Sequence, residues 1–285
     1  MSSLPVVLTI GASDASGAAG IQADQLAIAS MGCHPASVIT RIGSAEAVAE
    51  DAFLAIDPEW IEAQAQAVLS NMAVAAFKIG ELGSIEQVQP IAAIVADYDA
   101  VPVVLDPSLQ DASDEDAADF ALAWRELLIP QATIVTLTLA QARRLVSLVN
   151  EDDERAAGLS AANCARELIG WGAEFALITD ADPGSSLVLS ALYNDSGLVR
   201  SDTVPRLASG GAHWTSVGTT LSAALAGLLA QGVDLPDAAH EATQYAAAAL
   251  LNAFPAGIGV MVPDRLFWAG EDEDEPDGNV STDVN

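Results

Sequence analysis

The chain has 285 residues, of which 51% are hydrophobic and only 18% charged, apolar material enough for one large α/β domain. Its charge is extreme, 40 acidic residues against 10 basic ones. A surface of that sign repels nucleic-acid phosphates and anionic membranes, which excludes both as expected partners, and it fits a high-salt cytosol better than a dedicated cationic partner.

Cys33 and Cys164 are too few for a disulfide framework, and they match no zinc spacing. His34, His213 and His240 lie far apart and form no metal-binding pattern. No basic-apolar leader and no membrane-length apolar stretch is present, so the expected location is the cytoplasm.

In chain order, Val6 to Ile10 is an apolar run that reads as a buried first strand. Gly11 to Asp24 follows as a small-residue turn leading into a helix. Gly11, Gly17 and Gly20 allow tight turning and close approach to a ligand, and Asp14 and Asp24 supply polar handles. Strand candidates then recur at 33–40, 75–80, 101–105, 132–136 and 174–179. Helical patterns occupy 19–31, 58–72, 84–97, 114–128, 139–148 and 156–170. The alternation predicts a mostly parallel sheet covered by helices on both faces.

From Ser186 to Val204 the pattern becomes a β-hairpin turning at Asn194 to Gly197. Two alanine-rich helices are expected at 216–231 and 236–253. Residues 1–268 contain no linker and no repeat, so they read as a single domain, and 269–285 reads as a disordered acidic tail.

Several strand ends carry polar residues at the places where α/β proteins bind ligands. Lys78-Ile79-Gly80-Glu81 ends one strand, and Leu105-Asp106-Pro107 ends the next with Asp106 facing the crevice. Thr138 opens a helix, a position where threonine is also an ordinary N-cap. The turn around Ser216-Val217-Gly218-Thr219 precedes a long helix, whose first N–H groups and dipole form an anion site.

Taken together, Asp14-x-Ser16-Gly17-x-Ala19-Gly20-Ile21-Gln22-Ala23-Asp24, Lys78-Ile79-Gly80-x-Leu82-Gly83-Ser84, Leu105-Asp106-Pro107 and Thr220-Leu221-Ser222-Ala223-Ala224-Leu225 resemble the hydroxymethylpyrimidine and phosphomethylpyrimidine kinases of thiamine biosynthesis. The resemblance spans about 1–268 and implies a ribokinase-like three-layer sandwich. It also implies magnesium-assisted transfer of the ATP γ-phosphoryl to a hydroxymethyl group, a small-molecule acceptor and a homodimer. It assigns Gly11, Asp14, Gly20, Asp24, Ala45 and Glu81 to the acceptor side. Ser216, Val217 and Gly218 fall in the anion hole, and Asp106, Thr138, Gln141, Thr179 and Asp180 on the nucleotide and metal side. Thr219 falls at the position of the catalytic Cys or Asp.

The chain departs from the family pattern at chemically important places. The usual D-P-S-G-G-A-G carries Ala15 and Ala18. The ring-reading glutamine aligns with Ala45, and an apolar pocket residue with Glu81. The T-P-N-x-x-E glutamate becomes Gln141, G-G-H becomes Asp180-Ala181-Asp182, and G-[ST]-G-C becomes Ser216 to Thr219. A threonine hydroxyl has no accessible pKa for general-base work. The expectation is therefore a kinase whose activity is weak or lost. The alternatives are a non-catalytic pseudokinase that senses a ligand or binds a protein, and a kinase of another alcohol such as a pyridoxal-like compound.

Overall fold

Apolar residues along the central strands alternate between two helical layers, and that alternation builds the architecture. The computed structural model describes residues 4–43, 53–108, 114–207, 213–214, 217–257 and 260–273. Its main sheet comprises β1 (Val6–Asp14), β2 (His34–Gly43), β3 (Phe53–Ala55), β4 (Val74–Ile79), β5 (Val103–Leu105), β6 (Ile134–Thr138), β7 (Phe175–Thr179), β8 (Leu187–Asn194) and β9 (Gly197–Pro205). The order across the sheet is β3-β2-β1-β4-β5-β6-β7-β8-β9. The strands from β2 to β7 in that order pair in parallel. The edges β3, β8 and β9 run antiparallel to their neighbours.

The helices are α1 (Gly20–Ser30), α2 (Pro58–Leu69), α3 (Val88–Ala96), α4 (Asp114–Ala123), α5 (Leu139–Asn150), α6 (Asp153–Ala157), α7 (Ala161–Gly170), α8 (Val217–Ala230) and α9 (Leu235–Leu251). Leu8, Ile10, Phe77, Ile79, Leu105 and Val135 point to one face, against α2, α3, α5 and α7. Val7, Ala76, Val104 and Ile134 point to the other, against α1, α8 and α9. This is the period-two alternation of a sheet buried on both sides. Alanines at 223, 224, 226, 238, 239, 242 and 246 line the second layer and let its helices approach closely. Gly227 is required there, because a Cβ would sit 2.8 Å from Met31 Cβ.

The structure extends and divides several expected elements. The first strand continues through Asp14, because Ser13 and Asp14 still pair with Ile42 and Gly43 after a register shift. The pattern at 156–170 divides into α6 and α7, since Ser160 accepts a hydrogen bond from Asn163 N–H and starts a new helix. The pattern at 84–97 begins as a 3₁₀ turn at Ile85–Gln87, and that at 114–128 ends in a π turn at Trp124–Leu128. Short β3 carried no sequence signal. Neither did a second, three-stranded sheet of β10 (His213–Trp214), β11 (Phe254–Gly257) and β12 (Val260–Val262). Such short strands show too few alternations to be read as periodic. Ala45, Ser216 and residues 274–285 of the expected tail lie outside the described residues.

The first glycine turn is locked by backbone conformation. Gly17 and Gly20 have φ of 71° and 61°. A Cβ on Gly17 meets open space, whereas one on Gly20 would lie 2.3 Å from Ala12 O. Gly17→Ala should therefore cost only the left-handed backbone penalty, about 1 kcal/mol. Gly20→Ala should add overpacking and lose about 3 kcal/mol in all. Urea unfolding of the two variants side by side measures the difference, and equal losses would contradict this geometry.

Candidate active site

The connection after β1 leads to β2 on one side, while that after β4 leads to β5 on the other. Outside the carboxyl ends of β1 and β4 the sheet therefore opens a crevice, the usual ligand position in α/β folds. The first turn forms one wall. Asp14 Oδ1 accepts from Ser16 N–H (3.0 Å), and Oδ2 accepts from Ser16 Oγ (2.6 Å) and Ala19 N–H (2.9 Å). Gln22 Oε1 accepts from Asp14 N–H, and its amide nitrogen donates to Ser13 Oγ. Gly11 lies where an added Cβ would be 3.9 Å from Glu81 N, so the turn and the end of β4 stand side by side.

Behind that wall lies a buried charge cluster. Lys78, the chain's only lysine, is 2% exposed and places Nζ 3.0 Å from Asp24 Oδ1 and 3.8 Å from Asp106 Oδ2. Thr9 Oγ1 donates to Asp24 Oδ2 (2.5 Å). The sequence reads Asp24 as a handle of the loop, but the structure places it behind the crevice as the counter-ion of Lys78. Burial works to lower the Lys78 pKa, and Asp24 and Asp106 together outweigh it and hold it above the ordinary value. At Asp106 burial raises the carboxyl pKa, with Lys78 and the Ser222 hydroxyl opposing.

Asp106 does reach the crevice, with its side chain 17% exposed. Ser222 Oγ donates to it at 2.8 Å, tying the first turns of α8 to the end of β5. Val217, Gly218 and Thr219 form the start of α8, and a Cβ on Gly218 would meet nothing within 4 Å. Sequence reasoning missed Arg265. It is 2% exposed, donates Nη2 to Ala18 O (2.9 Å) and Nε to Thr220 Oγ1 (3.0 Å), and so joins the first turn to α8. Its only signal is a scarce basic residue within a late apolar segment.

On the far side of the crevice, Thr138 and Gln141 make a capping box at the start of α5. Gln141 Oε1 accepts from Thr138 N–H at 2.9 Å, and Gln141 N–H donates to Thr138 Oγ1 at 3.2 Å. Asp180, just after Thr179, has φ of 51°, a conformation that favours glycine, and its carboxylate pairs with Arg206. On the near side, beyond the first turn, Glu81 pairs with Arg41 at 2.5 Å. The Arg41 guanidinium sits 4.6 Å from the Phe53 ring centroid.

The crevice thus brings together Gly11, Asp14, Gly20, Glu81, Asp106 and the start of α8. The phosphomethylpyrimidine kinase family model matches residues 14–264. The chain belongs to this family. The hydroxymethylpyrimidine/phosphomethylpyrimidine kinase of Streptomyces coelicolor is 33% identical over 94% of this chain and 96% of its own length. The enzyme of that name from Escherichia coli is 30% identical over 92% and 98%. Among solved structures, an ADP complex of Bacillus subtilis pyridoxal kinase is 26% identical, has a TM-score of 0.79, and covers 92% of this chain and 98% of its own. The fold is accordingly ribokinase-like, with the large, mostly parallel sheet that the sequence predicts.

Removing Lys78 would leave Asp24 and Asp106 as uncompensated buried carboxylates. Lys78→Met should destabilise the protein by about 3–5 kcal/mol at neutral pH. Because the folded pKa of Lys78 is raised, its contribution is complete below the ordinary lysine value and is lost only as pH rises through the raised one. Urea unfolding from pH 7 to 10 should show no loss attributable to Lys78 in the wild type, and that window tests the assignment.

Proposed function

We propose that this chain is an ATP-dependent phosphotransferase of the hydroxymethylpyrimidine/phosphomethylpyrimidine kinase type, with transfer much slower than the family pattern implies. The observation that carries the reading is the crevice at the β1–β4 switch point. There an acceptor wall, Gly11 to Gly20 and Glu81, faces Asp106 and the helix start that Ser222 ties to it.

In this reading the hydroxymethyl group of an aminopyrimidine lies between the first turn and the start of α8. The terminal phosphates of ATP face the N–H groups of Gly218 and Thr219, where the dipole of α8 offsets negative charge. Magnesium fits the donor set. Such an ion keeps several waters, binds substrate phosphates and needs only one or two protein carboxylates. Asp106, with its oxygen at the crevice, supplies one. When bound, the ion neutralises charge on the nucleotide phosphates. Ser222 and Lys78 hold Asp106 in place, and Arg265 keeps the acceptor turn against α8.

Two features support slow transfer. Thr219 stands at the family's general-base position, and its hydroxyl cannot remove the acceptor proton at neutral pH. Gln141 stands for the family's glutamate, and its amide oxygen is turned back onto Thr138 in the capping box. Asp180 adds no uncompensated charge on the nucleotide side, because Arg206 neutralises it.

The test is ADP release with hydroxymethylpyrimidine and magnesium-ATP, measured at several salt concentrations alongside calorimetric titration of the nucleotide. Wild-type turnover should be slow but above a protein-free blank. Thr219→Cys should raise kcat by about 10²-fold, the usual contribution of a positioned base. No nucleotide binding, with no gain from Thr219→Cys, would replace this reading by a non-catalytic one.

A further inference from the structure

Beyond β12, Asp264 to Trp268 forms a short strap that is fastened at both ends. On α9, Asp264 N–H donates to Ala249 O (2.9 Å) and Tyr245 Oη donates to Arg265 O (2.7 Å). At the end of α1, Trp268 Nε1 donates to Ser30 Oγ (2.6 Å). The backbone that carries Arg265 is thus held from behind, and its side chain enters the molecule between the first turn and α8. Among the described residues this buried guanidinium pairs with no carboxylate. Burial pushes its pKa down, with Tyr245 and Asp24 opposing, and Asp24 is already the counter-ion of Lys78. In a chain with 40 acidic residues, an arginine buried without an ion partner is costly, so its place has to be explained by what its N–H groups hold.

We infer that Arg265 is a positioning residue that sets the gap between the first turn and the start of α8, so that its loss slows transfer across the gap without weakening either ligand alone. The inference rests on the reading of those two walls as the acceptor side and the phosphate side. Nη2 holds Ala18 O, in a turn whose flanking Gly17 and Gly20 both have positive φ. Nε holds Thr220 Oγ1, on the residue that follows Thr219. Both nitrogens belong to one rigid plane, so the two acceptors are held at one separation. Moving the turn away from α8 would leave a buried N–H without a partner, which is the expensive way to lose a hydrogen bond. Neither bond uses Glu81, Asp106 or the N–H groups of Gly218 and Thr219, the groups that the two ligands meet in this reading. Ser222 fixes α8 against the end of β5, and Arg265 completes the frame by fixing the turn against α8. A misplacement of about 1 Å between reacting groups is enough to cost about 10²-fold in rate.

The experiment uses the full chain and the variants Arg265→Met, Arg265→Lys and Thr220→Val. Calorimetric titration gives the affinities for magnesium-ADP and for hydroxymethylpyrimidine, each alone, and single-turnover transfer from γ-labelled ATP gives the rate. Arg265→Met should bind each ligand within about threefold of the wild type and transfer about 10²-fold more slowly. Arg265→Lys, a point charge that serves one acceptor at a time, should recover about tenfold of that loss. Thr220→Val keeps the arginine and removes one acceptor; it should transfer about tenfold more slowly, and it carries the test if Arg265→Met does not fold. Variants that are less stable but transfer at the wild-type rate once folded overturn the inference. So does a nucleotide affinity that falls in Arg265→Met and returns in Arg265→Lys, the signature of charge rather than spacing. Amide hydrogen exchange of the unliganded protein separates this inference from the kinase reading. Exchange faster by about fivefold or more at both Ala19 and Leu221 in the variants, in a chain that transfers nothing, refutes the kinase reading and upholds the spacing role. Unchanged exchange at either position overturns the spacing role, and wild-type transfer beside it leaves the kinase reading standing.

Discussion

The buried ammonium of Lys78 is the interaction on which the rest of the site depends. A lone lysine 2% exposed in a central strand is tolerable only with carboxylates beside it, and Asp24 and Asp106 come from different elements, α1 and the end of β5. Satisfying that one charge ties α1, through Asp24, to β4. It also fixes where Asp106 presents its second face to the crevice. Ser222 then brings α8 to Asp106, and Arg265 brings the first turn back to α8. The first turn, the end of β5 and the start of α8 are thus connected through buried polar contacts.

Much of this was legible in the sequence, for reasons that differ from element to element. Parallel strands buried on both faces appear as continuous apolar runs, so β1, β4, β6 and β7 were placed within a few residues. The hairpin of β8 and β9 announced itself through Asn194 to Gly197, and the mostly parallel sheet with helices on both faces followed from the alternation of the two patterns. Short β3 and the three-stranded sheet left no trace, since their pairing depends on distant partners.

The site was legible by residue type more than by role. The sequence marked Asp24, Asp106 and Glu81, but it showed no sign that Asp24 answers a lysine behind the crevice or that Glu81 answers Arg41. Those pairings join residues 54 and 40 positions apart, and no local spacing encodes them. Thr138 and Gln141 are the opposite case. Their separation of three residues is the capping-box spacing, and a helix start of that kind engages both side chains locally. A residue type inherited by position from a family motif can therefore be held by a purely local bond.

Charge balance links these observations. The chain has only 10 basic residues against 40 acids, and four of the basic residues stand around the crevice. Lys78 is matched by Asp24 and Asp106, Arg41 by Glu81 and Arg206 by Asp180, while Arg265 is held by a backbone carbonyl and a hydroxyl. Each serves an anion or a dipole of the protein itself. A triphosphate entering the crevice must either compete with those carboxylates or bring its own counter-charge. Helix N-termini and a divalent cation are the two remaining sources of positive potential, and neither depends on the composition of the surface. An acidic protein can hold a polyphosphate on those terms only where the local field outweighs a net charge of -30, and dissolved salt helps by screening the distant carboxylates more than the near contacts.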